Sequence, residues 1–311
     1  MEFLNAIFVA PFVEIWEYPV FFVEVVVAGL LSGIMYSLVA LGFVLIFKAS
    51  GVFNFAQGAM VLFAALTLVG LMEHGAPTLI ALIGTIVVMI ILALAIERVV
   101  LRPLVNQEPI ILFMATIGLS YFLDGFGQLV WGSDIKVLDL GIPSAPMEYG
   151  GILVNQFDLV AALVAGLLVA TLAVFFQKTR IGRALRAVAD DHQAALSVGI
   201  PLKTIWAIVW SVAGLVGLVA GIMWGTKLGV QFSLTFVALK ALPVLILGGF
   251  TSIPGAIVGG LIIGVGEKVA EVFWGPAFGG AIEDWFAYML ALAFLLFRPQ
   301  GLFGDKIIER V

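Results

Sequence analysis

Few side chains in this sequence could do covalent chemistry. There is no cysteine, which excludes a thiolate nucleophile, a disulfide and a Cys-based metal site. The two histidines, His74 and His192, lie far apart, and the charge pattern below places them on opposite sides of a membrane. Ser120, in G-L-S-Y, and Ser252 have no basic neighbour in sequence to activate them, and helix packing or a turn accounts for both. No G-x-x-x-x-G-K-[S/T] occurs, so the chain has no P-loop for ATP. No basic-aromatic patch points to nucleic acid, and no enzyme activity is expected. What remains is weak polar chemistry in apolar surroundings. Asn54, Gln57, Thr116 and Ser252 carry amides and hydroxyls that either line a solute path or cap broken helix ends. Glu24, Glu97, Glu108, Glu267 and Glu271 map near the ends of apolar runs. Only Asp124 falls well inside one, where an ion-coupled carrier would place its carboxylates. Lys240 is isolated in a short run and either snorkels outward or lines the path.

These groups must be positioned by membrane helices. The chain has 311 residues, 63% of them hydrophobic and 11% charged. No soluble core could bury so many apolar side chains, whereas spans of about 20 residues account for them directly. The 35 glycines suit helices whose backbones approach closely in lipid. The expected fold class is an all-α polytopic membrane protein. Nine apolar runs are legible: 21–47, 59–72, 77–97, 109–131, 158–176, 204–228, 232–247, 256–269 and 285–297. Residues 1–18, interrupted by Pro11, Glu14 and Glu17, read as an interfacial segment. Lys48, the Arg98/Arg102 loop, the 178–203 loop and the 299–311 tail all fall on one side of such a chain. The positive-inside rule makes that side cytoplasmic, with the C-terminus inside and the 132–157 segment outside.

The 178–203 loop is the most polar part of the chain. Lys178, Arg180, Arg183, Arg186 and Lys203 stand against two acids. Asp190 or Asp191 can cap a short helix over 192–198, Gly199 suits a left-handed stop, and Pro201 forbids continuation. Such a helix is a surface for a soluble partner, and it reads equally as an ordinary solvated loop. Breaks at 51–58 and 248–255 resemble each other, the second lying between two runs of about 15 residues, too short for a full span. Interrupted spans in matching halves mark inverted-repeat transporters, with 20–130 and 204–298 as the two repeats. Gly and Pro that merely let helices pack would give the same pattern.

The residues also carry a family pattern. Y-S-L-V-A-L-G-F at 36–43, G-V-F-N-F-A-Q-G at 51–58, I-E-R-V-V-L-R-P-L at 96–104, G-R-A-L-R-A-V-A-D-D at 182–191, L-G-G-F-T-S-I-P-G-A at 247–256 and F-R-P-Q-G-L-F-G at 297–304 occur in order. The chain resembles the H-type permease subunit of bacterial branched-chain amino acid ABC importers over roughly 25–305. Gln57 stands where relatives often have His, which argues against obligatory proton transfer there. The resemblance implies a second, M-type permease, two cytoplasmic ATPases that use the ATP, a periplasmic binding protein, and an inner-membrane location. This chain itself would hold no cofactor and no metal. It further implies that 183–199 is the coupling helix seated on an ATPase. Leu185, Val188, Ala189, Ala195 and Leu196 would form its apolar face, with Arg183, Arg186, Asp190, Asp191 and Gly199 for polar contacts and the stop. Other cargoes (urea, short amides, small carboxylates) and an ion-coupled secondary carrier are the alternatives.

Overall fold

The computed structural model describes residues 2–104 and 107–304. Apart from one small hairpin it is helical throughout, because in an apolar chain the backbone must bond within each segment. The helices are α1 Glu2–Phe8, α2 Ala10–Glu17, α3 Pro19–Ser50, α4 Gln57–Glu73, α5 Thr78–Ala95, α6 Pro109–Trp131 and α7 Gln156–Lys178. They continue as α8 Arg180–Asp190, α9 His192–Ser197, α10 Leu202–Leu228, α11 Val237–Gly248, α12 Ile253–Phe273, α13 Gly275–Phe278 and α14 Glu283–Phe297. α5 runs on through a π-helical turn, Ile96–Leu101, to Leu104. Strands β1, Pro146–Tyr149, and β2, Ile152–Asn155, pair antiparallel.

Five helices are long and apolar enough to cross a membrane: α3, α5 with its extension, α6, α7 and α10. A sixth span follows if the bent pair Phe232–Gly248 and Ile253–Phe273 counts as one. The nine expected crossings are reached only if shorter helices such as the 17-residue α4 also cross. The structure corrects one expectation here. The run read as a short 256–269 is the 21-residue α12, because its Ser252 cap and Pro254 start the helix earlier and Glu267, Lys268 and Glu271 do not end it. Only α11, with 12 residues, is short, and the axes turn by 113° between the two.

The chain forms two compact units, and they do not follow the linear halves 20–130 and 204–298. Among the described residues, one unit takes 2–37, 141–167 and 240–304; the other takes 38–104, 107–140 and 168–239. In the first, α3 packs on α12 through glycine. A Cβ at Gly33 would collide with the backbone of Gly260, and one at Gly29 with that of Gly264 and Val265. The Ser37 hydroxyl donates within this seam to Gly33 O at 2.8 Å. The segment 2–17 docks on the same unit: Trp274 Nε1 donates to Ile7 O at 3.1 Å, and Phe12 meets the Trp274 ring edge-on. In the second unit α4 is buried from Gln57 to Gly70, so its apolar residues surround it rather than forming a stripe. α10 covers α4 with a row of small residues. A Cβ at Gly221 would meet Val61 O at 2.6 Å, so the two backbones can approach only with glycine there.

Candidate functional sites

The break at 51–58 lies in the second unit, and three of the four residues expected on a solute path meet there. Asn54 and Gln57 are both wholly buried. Asn54 Oδ1 accepts from Ala56 N at 3.1 Å, and its Nδ2 donates to Gln57 Oε1 at 3.5 Å. Gln57 Nε2 reaches Ala213 O on α10 at 3.4 Å, lying against Gly42, where any side chain would displace it. Thr116, on α6, accepts from Phe55 N at 3.2 Å and donates to Phe113 O at 2.8 Å. Phe43, Phe53, Phe55 and Phe113 stack around these groups, with ring centroids 4.6 to 5.0 Å apart. Asn54 and Thr116 thus accept from two backbone N–H groups that the broken helix leaves unpaired, while Gln57 ties the break to α10.

The fourth, Ser252, belongs to the other unit, and its hydroxyl caps α12 by accepting from Gly255 N at 3.0 Å. That turn is built from glycine: Gly248 and Gly255 approach backbone to backbone, and Gly249 adopts φ +102°. The motif at 297–304 closes it, Leu302 N donating to Leu247 O at 2.8 Å and Phe303 N to Gly248 O at 3.2 Å. Two of the six motifs quoted from the sequence are thus one structural element.

The polar loop forms two helices rather than one. Thr179 caps α8, accepting from Gly182 N at 3.2 Å. Asp191 caps α9, accepting from Gln193 N and Ala194 N at 2.8 and 3.0 Å, and Gly199 ends it at φ +83°. Asp190 instead lies exposed at the end of α8. The apolar face expected for a partner needs correcting. Leu185, Val188 and Ala195 are buried in the chain itself, where α8 and α9 touch α10. An amphipathic helix beside a membrane bundle buries its apolar stripe there first. Arg186 is also committed, donating to Phe176 O at 2.8 Å and Gln177 O at 3.4 Å at the end of α7. Ala189 is half-buried and Arg183 exposed. What faces outward is on α9 and just beyond it: Leu196, 53% exposed, and Val198, 75% exposed.

The sequence reading missed a buried carboxylate. Glu267 was placed near a span end, yet it lies six residues inside α12 and is 1% exposed. The Tyr36 hydroxyl donates to its Oε1 at 2.5 Å. Tyr36 stands in the first quoted motif, so a tyrosine in a glycine-rich span was the available signal. Asp124 is likewise buried within α6, its Oδ1 without a hydrogen-bond partner among the described residues. Lys240, expected to snorkel outward or to line a path, is part-exposed and ion-paired. It pairs with Asp284 at 2.8 Å and Glu283 at 3.2 Å, while Lys268 takes Glu283 at 2.6 Å. Beside this cluster Glu271 accepts from the backbone N–H of Ala281, Ile282 and Glu283, tying down the start of α14.

A helical chain with five or six helices long and apolar enough to cross a membrane among its described residues is a polytopic all-α membrane protein. The particular family follows from comparison with known proteins. The profile described as the permease component of branched-chain amino acid transport systems matches residues 25–298. The chain is 31% identical to the high-affinity branched-chain amino acid transport system permease protein BraD of Pseudomonas aeruginosa, over 96% of this chain and 99% of that protein. It is 29% identical to the corresponding permease protein LivH of Salmonella typhimurium and of Escherichia coli K12, in each case over 94% of this chain and 98% of the relative. The chain belongs to this family of ABC transporter permeases.

Proposed function

We propose that the chain is the H-type permease subunit of an importer that moves branched-chain or other hydrophobic amino acids into the cytoplasm. It works beside an M-type permease, two cytoplasmic ATPases that consume the ATP, and a periplasmic binding protein. It sits in the bacterial inner membrane with its C-terminus cytoplasmic, holds no cofactor or metal of its own, and catalyses no reaction. The family supports the transport role. For coupling, the supporting observation is α9, a capped helix in the basic loop, with Leu196 on it and Val198 just beyond it both exposed. An ATPase groove that takes these two side chains would move α9, and α8 with it, as a lever.

The test is Leu196→Glu together with Val198→Glu in the assembled complex. Burying two carboxylates at such a contact costs several kcal/mol, so ATPase co-purification and ATP-dependent leucine uptake should fall at least about tenfold while the chain still inserts. Full assembly and uptake would sink this coupling site. The second reading, an ion-coupled carrier, is favoured by the buried carboxylates of Glu267 and Asp124. It requires uptake in vesicles under an ion gradient with no ATPase present.

A further inference from the structure

We propose that a small pocket in the second unit, beside the 132–157 segment, is an entry subsite for a zwitterionic aliphatic amino acid. This rests on the importer reading above. The pocket has a volume of about 150 Å3; its buried floor is Leu62 and Leu66, and the exposed Phe232, Gln128, Ser133 and Asp134 form its rim. Leu62 and Leu66 stand one turn apart on α4, so they present one continuous aliphatic surface. A cavity of this size takes a molecule about as large as benzene, which matches the side chain of valine, leucine or isoleucine with the charged end left at the mouth.

The rim supplies both halves of a zwitterion receptor. Asp134 is exposed and has no ion-pair partner among the described residues. Lys136, two residues on, is held by Glu73 and does not neutralise it. Asp134 is therefore the group for an α-ammonium. The Gln128 amide is the donor for the carboxylate, and Ser133 lines the mouth beside it. Gln231, also on the rim, donates to Leu228 O at 3.2 Å and braces the wall. Urea and short amides have no hydrocarbon to cover Leu62 and Leu66, and each methylene so covered is worth roughly fourfold in affinity. The pocket thus favours branched-chain cargo over those alternatives, while its open mouth keeps binding weak enough to hand the cargo on.

The absence of native cysteine makes the test direct. Ser133→Cys, in the complex with its partners, is labelled from outside by an impermeant thiol reagent and followed on this chain. Millimolar L-leucine should slow labelling several-fold, urea should not, and a Ser144→Cys control should be indifferent to both. Asp134→Asn added to Ser133→Cys should remove the protection, and Leu66→Trp, which fills the floor, should remove it too. No protection by leucine, or equal protection by leucine and urea, overturns the subsite. Binding needs no turnover, so protection is read without ATP. A complex that takes up leucine with ATP but shows no protection sinks the subsite alone; protection without ATP-driven uptake leaves the subsite standing and sinks the importer reading.

Discussion

The two interruptions of the helical chain, at 51–58 and at 248–255, look alike in sequence and are built by opposite means. At the first, side chains do the closing. Asn54 and Thr116 accept from loose backbone N–H groups, Gln57 reaches across to α10, and four phenylalanines pack beside them. At the second, the lack of side chains does it. Gly248 and Gly255 let two backbones touch, and the 301–304 segment adds backbone hydrogen bonds from outside the turn. Both answer the same demand, that no backbone N–H or C=O be left bare at membrane depth. The first answer depends on functional groups and the second on available space, so they should fail differently.

Gly248→Ala should separate them most sharply. Its Cβ would press on the backbone of Gly255, which has no flexible end to move aside. We expect a loss of about 3 kcal/mol, seen as a lower Tm for the purified chain in detergent. Gly51→Ala at the other break meets nothing within 4 Å and should cost only the strain of its φ of +70°, about 1 kcal/mol. Equal losses would erase the distinction. Asn54→Leu should come next, at about 2 kcal/mol, because it strands the buried Ala56 N–H and takes the partner from Gln57 Oε1. Its effect and that of a Gln57 substitution should not add, since the two amides share one network. Ser252→Ala should be the smallest, about 1 kcal/mol for a lost cap, with Ser252→Asp restoring most of it. Ser252 lies in the other unit, so its loss and that of Asn54→Leu should add.

How far the sequence spoke for itself differs by residue. A cap at Asp190 or Asp191, the Gly199 stop and Pro201 were legible because capping is local, though only the structure chose Asp191. Thr179 was missed in the same loop, since Thr179 with Gly182 is a weak signal among so many charges. Asn54 and Gln57 could be singled out as amides in an apolar setting. That they close on each other and on Ala213 required α10, 156 residues further on. Leu185 and Val188 carry the periodicity of an apolar face, but periodicity does not say whether that face meets the chain's own α10 or a partner.

Glu267 shows the same limit more plainly. A run read to 269 put it near a span end, whereas the helix continues to Phe273 and the Tyr36 hydroxyl on α3 reaches it there. Composition, the side on which Lys and Arg cluster, the local caps and the ordered motifs belong to the sequence alone, for they depend on hydrophobic transfer and near neighbours. Which side chains are consumed in holding the chain together and which stay exposed, such as Asp134, Leu196 and Val198, was decided by tertiary packing. A side chain's availability is set by contacts distant in sequence, and one chain read in order does not contain them.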